Sequence, residues 1–204
     1  MPAHTSKEAA LKIDKVLNEF GRSPLHGTAV ADSLNASPEI VLAMLLDALI
    51  KARPISHELT EKTINKLIEA DYHHIDGYNR YREQGATNLG ELAELVVEKY
   101  DGDLNNLLKQ ADGKIEKAGL LLKEIKGIGD LAVEVFFNSV QGVWPSIAPS
   151  VDSRSLKTAA EIGIGTDLDE IYNALDRDPM RMGWFANGLS EVRLERRQKA
   201  IEEV

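Results

Sequence analysis

The sequence predicts an all-α protein. Three observations carry that prediction. Apolar residues recur at three- and four-residue spacing through nearly every segment, several segments open on a serine cap or close on glycine or proline, and no run alternates as a half-buried strand would. Leu, Ala, Glu and Lys dominate the composition, which favours helices.

The elements follow in order. "SKEAALKIDKVLNEF" places Ala10, Ile13, Val16, Leu17 and Phe20 at helical spacing, and Gly21 stops it. "SPEIVLAMLLDALIKA" opens with Ser37 as cap and Pro38 at the first helical position. It is apolar on several faces, so it belongs in the middle of a core, and it ends before Pro54. "SHELTEKTINKLIEA" starts at Ser56 and puts Leu59, Ile64, Leu67 and Ile68 on one stripe. A less regular piece, "DYHHIDGYNRYREQGATN", carries two histidines and three tyrosines before the helix "LGELAELVVEKY". "DLNNLLKQA" follows, then two helices joined at "KGIGD", then the loop "QGVWPSIAPSVD". Three helices, around 153–162, 167–176 and 180–202, close the chain. No internal repeat or low-complexity tract interrupts them.

Composition bounds the function. At 204 residues the chain can bury a real core, as one domain or two small ones. Apolar residues at 43% and charged residues at 28% are ordinary for a globular protein. The absence of cysteine excludes disulfides, thiolate catalysis, zinc–thiolate sites and iron–sulfur clusters. The first residues have no apolar run behind their basic positions, and no apolar stretch approaches the ~18 residues of a membrane span, so a cytoplasmic protein is expected. The net charge of -9, from 24 basic and 33 acidic residues, argues against coating nucleic acid by bulk electrostatics. A local basic face on an acidic body remains open.

The stretch "EIKGIGDLAVEVFF" raises the sharpest question, because Gly127 and Gly129 flank Ile128 between two apolar helices. In such a hairpin the glycines let backbone amides point outward, and the second helix adds its N-terminal dipole. Together they suit one DNA phosphate, and carbonyls of the turn can hold a monovalent cation, Na+ or K+, that bridges to it. Lys114, Lys117, Lys123 and Lys126 sit on the approach. The plain alternative is a tight turn, and Asp130 is a candidate N-cap that adds negative charge near the phosphate.

After the second hairpin helix come a Gly/Pro-rich loop and "VDSR" opening another helix. This order, quoted whole as "GIGDLAVEVFFNSVQGVWPSIAPSVDSR", resembles the helix–hairpin–helix superfamily of DNA glycosylases, the endonuclease III-like group. The resemblance runs from about Leu42 to Gly163 and includes "LLDALIKAR" and "GYNRYREQGATNLGELAELVVEKYDGDL". It implies that Asp152 is the catalytic carboxylate. Breaking an N-glycosidic bond builds positive charge on the sugar, which a fixed carboxylate stabilises while orienting or deprotonating water. An aspartate before "SRSL" is also a good N-cap, and one residue can serve both roles.

Two departures qualify the resemblance. Bifunctional members carry a nucleophilic lysine early in the second hairpin helix, where this chain has Leu131, so a monofunctional enzyme using water is implied. The family's common iron–sulfur cluster is absent. The resemblance further implies DNA contacts at Lys126, Gly127, Ile128, Gly129 and Arg53, with Arg53 filling the gap left by a flipped base. Tyr72, Tyr78, Tyr81 and Trp144 are candidates to line the base pocket or face the opposite strand, or else simple packing residues.

Other features carry less. "DGDLNNLLKQAD" has Asn106 where a calcium loop needs glycine. The pair His73–His74 lacks carboxylate or further histidine partners at metal spacing, so no side-chain metal site is expected. "RLERRQKAIEE" reads as a solvated helix face. The expected architecture has two helical subdomains around a cleft faced by Asp152: a middle bundle over 38–140 ending in the hairpin, and a terminal subdomain of 1–37 with 141–204. The expected function is a monofunctional DNA-repair glycosylase, without cofactor, acting as a monomer on double-stranded DNA with a damaged or abasic site. The alternatives are a catalytically silent binder of distorted or abasic DNA, or a helical interaction module.

Overall fold

The most apolar segment of the sequence becomes the centre of one half of the protein. In a computed structural model, which describes residues 6–74 and 87–202, the chain is all-α, with no strand among the described residues. Residues divide into two compact units, Met1–Pro24 with Phe137–Val204, and Leu25–Phe136.

In the unit of Leu25–Phe136, α2 (Pro38–Lys51) starts where the Ser37 hydroxyl accepts from the Ile40 amide and Pro38 occupies the first turn. Every residue from Val41 to Ala48 is buried. That run includes Asp47, whose carboxylate accepts from Lys51 Nζ at 2.7 Å one turn later, so the buried charge is paired. Helix α3 (His57–Glu69), capped by Ser56, packs on α2 through Thr60, Ile64 and Ile68. Leu59, expected on that stripe, is instead 50% exposed. It sits in the first turn, where Thr60 takes the inward position. Helices α4 (Thr87–Tyr100), α5 (Asn105–Gln110) and α6 (Ile115–Lys123) complete the unit, with α5 packed against both neighbours. Helix α7 (Asp130–Val140) follows α6 after a short turn and continues across the boundary into the other unit.

In that other unit, α1 (Lys7–Lys15) runs on into one wide π-helical turn, Val16–Phe20. Its apolar side meets α10 (Pro179–Leu194), and α10 in turn packs on α8 (Ser153–Glu161). The closeness of these helices rests on glycine. A Cβ at Gly188 would stand 3.1 Å from the Gly21 amide nitrogen, and one at Gly183 would stand 2.9 Å from the Asn138 carbonyl oxygen. Ile13, Phe20, Met182, Phe185, Leu189 and Val192 fill the core between them. Helix α9 (Leu168–Ala174) packs on α1, as does α11 (Gln198–Glu202).

The final helix expected over 180–202 is two helices. Arg196 takes a left-handed conformation at φ 56°, and the Arg197 amide reaches back to the Val192 carbonyl at 2.8 Å, a closing bond that ends α10 without glycine. Asp71, Asp101, Asp112 and Asp176 also adopt left-handed backbone just beyond helices. Aspartate tolerates that conformation better than most side chains, so this chain ends helices with a residue that does not read as a stop.

Candidate functional site

Helix α6 ends at Lys123, and the Ile125 and Ile128 side chains are buried beneath the turn that follows. The Ile128 amide donates to the Ile125 carbonyl at 3.1 Å, closing the turn. Gly127 lies at φ +89°, a backbone that L side chains rarely adopt, so glycine is required there. Gly129 has no such requirement. Nothing lies within 4 Å of a Cβ built on either residue, so the outer face of both is open. The Gly129 carbonyl accepts from the Val133 amide, which makes Gly129 the cap position of α7 and Asp130 the first helical residue. The expectation of Asp130 as N-cap is thus corrected by one position. Its carboxylate bonds Lys123 Nζ at 3.0 Å instead.

The lysines around this turn are paired. Lys126 meets Glu91 at 2.9 Å, Lys99 meets Glu124 at 2.8 Å, and Lys117 meets Asp112 at 2.8 Å. All are exposed ion pairs of the kind worth about 0–1 kcal/mol. An incoming phosphate could exchange with such carboxylates at small cost. Arg53 lies just past the end of α2, exposed, with no acidic partner among the described residues. Tyr72 is half-buried. Tyr78 and Tyr81 lie outside the described residues.

Asp152 caps α8 within the unit of Phe137–Val204. Its Oδ1 accepts from the Arg154 and Ser155 amides, each at 3.1 Å. Its Oδ2 accepts from Asn138 Nδ2 at 2.6 Å, and the Asp152 amide donates back to Asn138 Oδ1 at 2.8 Å. The carboxylate is therefore gripped by three N–H donors in a residue only 2% exposed. A carboxylate has roughly four acceptor sites, so about one remains. The N-terminus of α8 adds its partial positive charge to the same oxygens.

The residues that hold this aspartate are not among those expected from the sequence. Asn138 and Gln141 stand one turn apart near the end of α7, both buried. Gln141 Nε2 donates to the Asn138 and Ser150 carbonyls at 3.1 and 2.8 Å, and its Oε1 accepts from the Ser150 amide at 2.9 Å. Two side-chain amides thus bind the loop of residues 142–152 to α7, each making both donor and acceptor bonds to one loop residue's backbone or side chain. The signal was there to be read: amides at this spacing inside "AVEVFFNSVQG" sit on a buried face, and buried polar groups need partners. Trp144, in that loop, is itself buried. On α8, Ser155 shares a hydroxyl–hydroxyl bond of 2.8 Å with Ser190 of α10, fixing the helix that Asp152 caps.

One expectation needs correction. Contrary to the expectation that the histidine pair lacks a carboxylate partner, Asp71 lies beside His73 and His74, with ligand atoms of all three within 4.8 Å of one another. The turn after α3 folds the chain back sharply, which residue spacing alone does not show.

No protein-family model, curated protein or solved structure matches this chain.

Proposed function

We propose that this protein is a DNA-binding protein of the helix–hairpin–helix type and a monofunctional N-glycosylase that uses Asp152 and water to release a flipped, damaged base. The observation that carries the reading is the Asp152 carboxylate, fixed by three donors at the start of α8 and shielded from bulk water. An anion held rigidly in a low-dielectric setting stabilises a developing oxocarbenium ion without reorganising. Its remaining acceptor site suits a water or the sugar edge. Positioned general-base action contributes about 100- to 10,000-fold. Leu131 offers no amine for a covalent adduct, so water is the nucleophile.

The α6–α7 turn supplies the DNA contact in this reading. Open backbone at Gly127 and Gly129 and the N-terminus of α7 receive one phosphate, Ile128 anchors the turn from within, and Lys126 leaves Glu91 to join the phosphate. Turn carbonyls can hold a Na+ or K+ that bridges to it. Arg53, exposed and without an acidic partner among the described residues, is suited to fill the gap left by the flipped base.

A second reading, a catalytically silent binder of distorted or abasic DNA, is favoured by the same burial: three of the roughly four acceptor sites of Asp152 already serve as cap and loop anchor. One experiment separates the two. Base release is measured on a panel of damaged duplexes with the natural chain and Asp152→Asn, and hot alkali is used to reveal abasic sites. Release that falls at least about 100-fold in the variant supports the glycosylase. Binding without release by the natural chain supports the silent binder, and no binding removes both.

A further inference from the structure

The turn that ends α3 makes a second polar cluster, independent of the DNA reading. Asp71 is left-handed at φ 59°, its amide bonds the Ile68 carbonyl at 3.0 Å, and the Tyr72 amide bonds the Leu67 carbonyl at 2.9 Å. The His74 amide then returns to the Asp71 carbonyl at 3.0 Å. The left-handed aspartate is not itself a sign of function, because Asp101, Asp112 and Asp176 adopt the same backbone with no histidines two and three positions on. What sets Asp71 apart is its neighbours. The rings of His73 and His74 lie 4.1 Å apart at 52°. His73 is only 8% exposed, and its Nδ1 is buried with no hydrogen-bond partner among the described residues.

A buried ring nitrogen without a partner forfeits its hydration with nothing in return. Such an atom calls for a ligand. We infer that Asp71, His73 and His74 form a binding site for one divalent transition-metal ion of the zinc class. Two imidazoles and a carboxylate suit zinc, whereas calcium and magnesium demand oxygen donors. Tetrahedral zinc with ~2.0–2.1 Å bonds places its ligand atoms about 3.3 Å apart. The three donors already lie within 4.8 Å of one another.

The test is zinc titration of the chelator-treated full chain by calorimetry, with cobalt absorption as a second readout. One equivalent should bind, and cobalt should give the visible bands of a tetrahedral imidazole site. His74→Ala, an exposed position that leaves the fold intact, should weaken binding at least about tenfold, and His73→Ala likewise; outer partners alone are commonly worth 10–100-fold. His57→Ala, which removes an exposed histidine paired with Glu61, should change nothing. Absence of stoichiometric binding to the folded chain overturns the site. So does binding that survives the double variant of His73 and His74.

Discussion

Asn138 does more for the candidate site than any other residue outside it. It both donates to and accepts from Asp152, so truncating it strands a buried carboxylate oxygen and a buried amide together. Each buried polar group left without a partner costs roughly 1–3 kcal/mol. Asn138→Ala should therefore lower the unfolding free energy by roughly 2–6 kcal/mol, read as a lower urea midpoint with an unchanged slope. Asp152→Ala, which also removes a helix cap worth ~1 kcal/mol, should do the same. An Asn138→Ala chain as stable as the natural one would show that the Asn138–Asp152 pair contributes nothing in solution.

At the scale of elements, the α6–α7 turn separates folding from binding. Gly127→Ala forces a side chain onto a backbone at φ +89°, a strain of about 1–3 kcal/mol, and should destabilise the fold. Gly129→Ala meets open space at an unstrained backbone, so stability should shift by less than about 1 kcal/mol. If a phosphate sits on the turn, DNA affinity should nonetheless fall in the Gly129 variant. Equal affinity in a folded Gly129→Ala chain would remove phosphate from that turn. Helix α1 carries a pH signal of its own. Lys12, itself buried, donates to Glu8 at 2.6 Å, and its Nζ would lie 3.1 Å from a Cβ at Gly163, just past the end of α8. A cation at a helix C-terminus is well placed. The Lys12 ammonium holds the Glu8 carboxyl below the ordinary value of 4.5. A lowered folded value means that the unfolded chain binds its proton first on acidification. This contribution to stability is present above about pH 4.5 and is lost as pH falls through the lower folded value. Glu8→Gln should flatten acid unfolding in that window, and an unchanged acid limb would show the pair to be inert.

For the whole molecule, charge decides what kind of DNA binding is possible. With a net charge of -9 and the lysines Lys99, Lys117, Lys123 and Lys126 already paired with carboxylates, the proposed DNA binding would rest on a few phosphates. At a log–log slope of about -0.9 per phosphate, a handful of contacts gives roughly -1 to -4. Binding measured from low to physiological salt should follow such a shallow line. A slope near zero would leave the hairpin as a plain turn. No described helix is long and apolar enough to cross a membrane.

Much of the fold was legible because helices are specified within a few residues. Ser37 with Pro38, and Ser56, announced α2 and α3, and the glycines marked the α6–α7 junction. The break at Arg196 and the turn at Asp71 were not legible, because residues other than glycine adopt the left-handed conformation there. The Asn138 donor to Asp152 was hidden for a different reason, since it depends on how a loop returns to an earlier helix. Three aspartates show where the line falls. Asp152, Asp167 and Asp178 each cap a helix by accepting from amides two or three residues on. By sequence they are alike, since the capping bond spans only one turn. In the folded protein Asp167 is exposed, Asp178 is half-buried, and Asp152 is buried against Asn138. Local hydrogen bonding made all three into caps. Only the packing of α7 against the returning loop made one of them a rigid, water-shielded anion, because burial and partners come from residues far along the chain.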